Sequence, residues 1–291
     1  MNVVINLNKP KGISSQQAVT RVKRITGVKK AGHAGTLDPM ATGILLVCTG
    51  EATKITRFLS DLDKEYLTMM KLGEKTDTYD SEGAVVQRSE GFSLEQEDVE
   101  NVLSKFRGTI EQIPPMFSAL KMGGRPLYSL ARRGIMVERA RREVTIHGME
   151  ITGFSLPFVE VKISCSKGTY IRSLCNDIGE TLGMGAHITS LQRTRIGRFR
   201  IEDSITLDEL QESPATGNAF VNIDDALGHL GEISLDKKDF DKARNGLSVT
   251  QHAPGLQQGS FVRVKDPSGH LFAIGRVLEG TVRMDRVFHL C

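Results

Sequence analysis

The sequence predicts an α+β fold in two parts: a large unit built on a mixed, largely antiparallel sheet, and a small β-rich module at the C-terminal end. Three observations carry this. Strand-like and helix-like segments interleave without the regular beat of a doubly wound parallel sheet. Beyond about residue 230 the texture changes to short β-rich runs set off by turn residues. The 291 residues also come close to two domains at about 150 residues each.

Asn2–Leu7 reads as a short strand, and 14–25 as a helix with Ala18, Val22 and Ile25 at helical spacing and two serines at its start. Gly43–Thr49 and Tyr66–Leu72 are strand-like. Ser93 followed by Gln96 is a capping-box signal for a helix that carries Val99, Val102, Leu103 and Phe106 on one side and stops at Gly108. Val159–Cys165 alternates as a strand, and Ser-Lys-Gly then turns the chain into a helix from Thr169 to about Leu182. Residues 188–200 are extended. Residues 212–218, rich in Ser, Pro, Gly and Asn, read as a linker. A helix over 236–244 stops at Gly246, and the strands Phe261–Lys265 and Leu271–Ile274 flank Asp-Pro-Ser-Gly, a hairpin signal. The expected division is 1–229 and 230–291.

No apolar run approaches the roughly 18 residues of a membrane helix, and the opening residues lack the pattern of a secretory signal, so a cytoplasmic protein with no membrane partner is expected. Cys48, Cys165, Cys175 and Cys291 form no C-x-x-C pair, and the histidines show no metal-ligand spacing. No phosphate-binding loop of the Walker type is present. Chemistry without metal or cofactor is expected.

The net charge of +3 hides a strong segregation. Residues 1–58 hold nine Lys or Arg against two acids; residues 73–100 hold nine acids against two bases; residues 121–142 hold seven bases against Glu138 alone. Arg193, Arg195, Arg198 and Arg200 make a further basic cluster. Converging basic blocks suit a polyanion, with nucleic acid the leading candidate, although each block read alone is equally a solvated face.

Within the first fifty residues Asp38 is the only acid. It lies in Gly32-His-Ala-Gly-Thr-Leu-Asp-Pro-Met-Ala-Thr-Gly43, where three glycines and a proline specify backbone shape. Such a carboxylate suits a nucleophile or general base; read alone, it also suits a turn cap before Pro39.

Together with Asn8-Lys-Pro-Lys-Gly-Ile-Ser-Ser15, that loop resembles the opening motifs of the TruB family of tRNA pseudouridine synthases. The resemblance continues through Asp63-Lys-Glu-Tyr66, 72–78, 112–121, 166–174 and 191–197, and the terminal module more weakly resembles a PUA-like RNA-binding domain. It implies an enzyme with a pseudouridine synthase fold that isomerises the uridine at position 55 in the T-loop of tRNA by flipping the base, without cofactor. It further implies a partner in the T-arm, no required protein partner, and a monomer.

By the same resemblance Asp38 is the catalytic carboxylate, Tyr66 stacks on the flipped base and is a candidate base for the C5 proton, and Arg172 pairs with Asp38. His33 would help hold the T-loop open, Leu174 would wall the uracil pocket, and Lys9, Arg193 and Arg195 would contact phosphates. Separately from the resemblance, the +6 charge of about 121–142 together with Gly123, Gly124 and Gly134 predicts a basic flap, carrying Arg132 and Arg133, that closes on the RNA. Residues 230–291 are expected to grip a more distant part of the tRNA, so that an isolated T-arm stem-loop would not need them. Read alone, Tyr66 and Leu174 are packing, and His33 and Arg172 are surface residues. Phe117 stands where the family commonly has tyrosine, and Tyr79 where a smaller residue is expected. The alternative is a non-catalytic tRNA-binding or RNA chaperone protein. A carboxylate glycosidase is disfavoured because no second acid lies near Asp38 in sequence.

Overall fold

The computed structural model describes residues 1–213, 217–250 and 257–290. Strand β1 (Val3–Lys9) leads into helix α1 (Ser15–Thr26), whose N-cap Ser14 accepts from the Gln17 amide while the Gln17 side chain accepts from the Ser14 amide. Gly27, left-handed at φ 70°, ends the helix. β2 (Ala31–His33), β3 (Thr42–Thr49), α2 (Thr56–Ser60) and β4 (Lys64–Leu72) follow, then an outlying hairpin of β5 (Glu74–Thr76) and β6 (Val85–Arg88). α3 (Gln96–Ser104) starts two residues later than its sequence signal: Glu95, not Ser93, is the N-cap, and its amide donates to Asp98 at 2.9 Å.

Next come β7 (Gly108–Gln112), the short hairpin β8 (Lys121–Met122) and β9 (Arg125–Pro126), and α4 (Leu127–Ala131). β10 (Arg142–Ser155), β11 (Phe158–Cys165), α5 (Ile171–Thr181), β12 (Ala186–Ile196), β13 (Phe199–Arg200), α6 (Leu207–Glu212), β14 (Phe220–Asn222) and α7 (Ile223–Ala226) complete the large unit. The small one contains β15 (Gly231–Ser234), α8 (Lys237–Arg244), β16 (Val249–Thr250), β17 (Phe261–Lys265), β18 (Leu271–Leu278) and β19 (Thr281–Val287). The expected linker falls partly on 214–216, outside the described residues. Among the described residues no helix is long and apolar enough to cross a membrane.

The main sheet runs β14-β1-β3-β12-β4-β11-β10-β7, and every neighbouring pair is antiparallel except β3 with β12. The second sheet runs β15-β17-β18-β19-β16, again with one parallel pair, β15 with β17. The class is therefore mixed α+β.

β3 explains why the two parts do not separate cleanly. Its side chains alternate between two cores: Leu45 and Val47 join the core that contains α1 and α5, while Ile44, Leu46 and Cys48 face a second cluster containing Phe58 and Leu59 of α2. Leu271, Ile274 and Phe288 of the small unit complete that second cluster. Polar ties reinforce it. Lys54 Nζ donates to the Val287 carbonyl at 2.8 Å, the His289 amide to Glu51 at 3.0 Å, Arg57 pairs with Asp285, and Asp224 takes both Arg263 (3.0 Å) and Lys265. A boundary near 230 separates the sheets but cuts through a shared core, so the small unit covers part of the large one.

Candidate active site

The loop that carries Asp38 is pinned from three sides. The hydroxyl of Ser15, in the first turn of α1, donates to the Leu37 carbonyl (2.9 Å) and accepts from the Leu37 amide (2.8 Å). Lys9, fully buried at the end of β1, donates to the carbonyls of Pro10 (2.8 Å), Ile13 (2.9 Å) and Pro39 (3.5 Å). Arg193 of β12, 1% exposed, donates to the carbonyls of Ile44 (2.8 Å), Gly35 (3.2 Å) and Thr36 (3.3 Å). This arrangement needs Gly43, left-handed at φ 97°, because a Cβ there would lie 2.3 Å from the Arg193 carbonyl oxygen. Lys9 and Arg193 are thus engaged by backbone carbonyls, where the sequence suggested free phosphate contacts. Lys9 lines neither cleft described below, whereas Arg193 also borders the first.

Arg172 meets the loop from α5. Its helix starts at Ile171 with Tyr170 as N-cap, not at Thr169, and the Gln112 amide holds Tyr170 by both backbone groups, accepting from its N–H (2.8 Å) and donating to its carbonyl (3.0 Å). The 3% exposed guanidinium donates to Asp38 Oδ2 at 2.9 Å, to the Thr78 carbonyl at 3.1 Å and to the Phe117 carbonyl at 2.7 Å. Asp80, buried, lies 3.6 Å from the same guanidinium. A charge-assisted bond of this kind fixes the carboxylate's direction as well as its position.

Asp80 went unread in the sequence because it sits within the acidic stretch 73–100. Tyr79 beside it is the one non-glycine residue with positive φ, at 64°, among the described residues, so the turn that presents Thr78 and Asp80 to Arg172 is a strained one. At Phe117 the missing hydroxyl leaves this network intact, since the backbone carbonyl makes the contact.

Two clefts meet at Asp38. The first, about 340 Å³, is walled by Tyr66, Ile171 and Leu191 and reaches Lys64. The second, about 560 Å³, runs past Gln16, His33, Phe117, Tyr128 and Arg132. Thr36, Leu37, Asp38, Ser118, Ala119 and Arg172 belong to both. Either volume is ample for a small ligand. Leu174 reaches neither: it is fully buried in the core beneath α5, while Ile171 and Leu191 take the wall position expected of it.

Tyr66 faces Arg193 across the sheet register. Burial pushes its phenol above the ordinary range, and the Arg193 charge pulls part of the way back. Lys64, two residues earlier on the same face of β4, is pushed down to about 8 by burial, with Arg193 adding to the effect. Burial, and then Arg193, also lowers the pKa of His33, whose Nδ1 is buried without a partner. Arg132 and Arg133 are at the surface, where the Arg132 guanidinium sits over the Tyr128 ring at 5.7 Å from its centre. Arg195 is part-exposed, 3.9 Å from Glu65. The basic blocks therefore converge only in part.

Comparison with known proteins identifies the family. The family model for the TruB family pseudouridylate synthase N-terminal domain matches residues 23–171, and that for the tRNA pseudouridylate synthase B C-terminal domain matches 172–226. The tRNA pseudouridine synthase B of Clostridium tetani (strain Massachusetts / E88) is 47% identical over 249 residues, 86% of each chain. That of Pseudomonas aeruginosa (strain UCBPP-PA14) is 41% identical over 282 residues, 95% of this chain and 92% of the relative. Among solved structures, a chain of a Cbf5-Nop10-Gar1 complex superposes with TM-score 0.77 at 28% identity, covering 99% of this chain and 85% of that one. A chain of an H/ACA RNP bound to a substrate RNA containing 2′-deoxyuridine gives TM-score 0.76 at 26% identity with the same coverage.

Proposed function

The chain belongs to the TruB family of pseudouridylate synthases and is an enzyme that isomerises uridine in tRNA to pseudouridine; from that premise we propose that its target is the uridine at position 55, flipped out of the T-loop into the first cleft. The observation that carries the site assignment is the placement of Asp38. Its carboxylate, oriented by Arg172 at 2.9 Å, stands where the two clefts join. The first cleft takes the base and the second takes the RNA that leads to it.

The reaction breaks the N1–C1′ bond, turns the uracil, forms a C5–C1′ bond, and moves a proton off C5 while N1 takes one up, with no net redox change. Asp38 acts on the ribose or the ring as nucleophile or base. Tyr66 stacks against the base, and its phenol takes the C5 proton, the Arg193 charge offsetting part of the burial that disfavours the phenolate. Arg132, Arg133 and Arg195 remain phosphate contacts in this reading. His33, at the second cleft, holds the T-loop open. The small sheet acts as a PUA-like RNA-binding module, and the enzyme works alone in the cytoplasm.

Mapping pseudouridine in tRNA from cells with and without the protein tests this assignment. Loss of the modification at position 55 is expected. Loss at another tRNA position, with 55 intact, would move the substrate assignment elsewhere.

A further inference from the structure

Ser118 is 4% exposed, and its Oγ has no hydrogen-bond partner. It lies on the wall that both clefts share, with Asp38 and Arg172. A buried hydroxyl left unpaired in a folded protein calls for an explanation, and a missing ligand group is one. The side chain is not there through looseness of the backbone. The Ser118 carbonyl accepts from the Tyr128 amide at 3.0 Å, and the carbonyl before it accepts from Arg172 at 2.7 Å. The Tyr170 phenol is near enough for Ser118 to influence it, yet no hydrogen bond of normal geometry joins the two side chains.

We propose that Ser118 is a specificity-determining residue whose hydroxyl bonds the ribose 2′-hydroxyl of the target nucleotide and so distinguishes RNA from DNA at the reacting position. This rests on the pseudouridine synthase reading of the site. The argument is positional. The bond that breaks and re-forms is at C1′, so the sugar must lie against Asp38, and the base extends beyond it toward Tyr66 and Leu191. Ser118 shares the sugar's end of the cleft. A serine hydroxyl both donates and accepts, as a ribose 2′-hydroxyl does, and each would satisfy the other.

The test separates recognition from chemistry by using the full chain carrying Asp38→Asn, which is expected to bind without turning over. Its affinity is measured for T-arm stem-loops with uridine or 2′-deoxyuridine at the target position. Uridine is expected to bind on the order of tenfold more tightly, the scale set by leaving a buried hydroxyl unpaired. Adding Ser118→Ala should bring the two affinities to within about twofold of one another. An unchanged ratio in the double variant overturns the proposal, as does equal binding of the two RNAs by Asp38→Asn alone.

Tyr170→Phe in the same background is the control for a purely internal role. If it erases the ratio as Ser118→Ala does, the Ser118 hydroxyl is a partner of Tyr170 and the proposal fails. Failure of the functional reading would look different: the unmodified protein would form no pseudouridine in the uridine stem-loop.

Discussion

The two walls of the cleft are both rich in Lys and Arg, and they use them in opposite ways. On the side made by α1, the Asp38 loop and β12, Arg193 at the cleft and Lys9 behind it are engaged by six backbone carbonyls. On the side where residues 121–142 bring Tyr128 and Arg132 to the second cleft, Arg125, Arg132 and Arg133 are exposed, and Leu127 is the one buried apolar residue of the segment. Arg139 alone of the segment's arginines donates through its side chain to a backbone carbonyl, that of Pro114. The first wall is built like a core and holds Asp38 in place before substrate arrives, which suits chemistry that depends on preorganised charge. The second offers exposed charge at little packing cost, which suits a surface that must adapt to RNA. The same residue types thus serve rigidity in one place and grip in the other.

The largest effect should come from Asp38→Asn, at a residue that both clefts share. The isosteric amide can be neither nucleophile nor base, so pseudouridine formation should fall below detection in a tritium-release assay, while tRNA affinity stays the same or rises slightly at low salt. Turnover equal to that of the unmodified enzyme would remove Asp38 from the chemistry and leave the comparison without its centre.

Truncation after residue 229 should come next. Because Leu271, Ile274 and Phe288 complete the cluster around Phe58 and Ile44, their removal exposes core, and activity on both full tRNA and an isolated stem-loop should drop with the melting temperature. This departs from the sequence-based expectation that the stem-loop does not need the module. A truncated chain that melts normally and fails only on full tRNA would restore it.

Lys9→Ala probes the inner wall directly. It strips the donor from three carbonyls and leaves a cavity, so a destabilisation of about 2–4 kcal/mol is expected from chemical denaturation, together with reduced turnover at every salt concentration. Arg132→Ala with Arg133→Ala probes the outer wall. Stability should be unchanged, and tRNA affinity should weaken with a salt slope smaller by about 0.9 for each duplex phosphate that the variant no longer neutralises. If the Lys9 variant instead bound tRNA more weakly in a salt-dependent way with normal stability, the contrast between the walls would collapse.

These two variants also show where the sequence is readable. Asp38 stands out because a lone acid in a Gly- and Pro-punctuated loop has few structural reasons to be there, and the helical residue Arg172 is placed beside it through its motif. Lys9 and Arg193 mislead because a cation's fate depends on burial. Burial here follows from sheet register: Arg193 lies opposite Tyr66 on one side and Gly43 on the other. Nothing local in sequence encodes that pairing. Asp80 is hidden among neighbouring acids for the same reason, and Leu174 yields its wall position because the helix starts at Ile171 and turns that residue, not Leu174, to the cleft. The strand and helix pattern, being local, survives with most ends shifted by one or two residues. The strand expected over Leu271–Ile274 nevertheless runs on to Leu278, the helix expected to reach Gly108 ends at Ser104, and β10 has no counterpart in the sequence-based expectation. The shared core around β3 is invisible without the second sheet in place.

The smallest effect expected is a pH dependence at His33, which lies where the second cleft passes the pinned loop. Burial, and then the Arg193 charge, holds its pKa below the ordinary 6.5. Between the folded value and 6.5 the unfolded chain binds the proton and the folded one does not, so stability rises with pH across that window. It is full above about 6.5, declines as pH falls toward the folded value, and levels off below it. His33→Gln removes the titration, so the melting-temperature difference between the unmodified protein and the variant should shrink or reverse on going from neutral to acidic buffer. Because burial is the main cause, added salt should leave this trend nearly intact, unlike the salt-sensitive affinity controlled by Arg132 and Arg133. A difference that does not change with pH would mean that His33 is solvated as freely as the outer wall, and the boundary between rigid and adaptable surfaces would have to be redrawn on the Asp38 side of the second cleft.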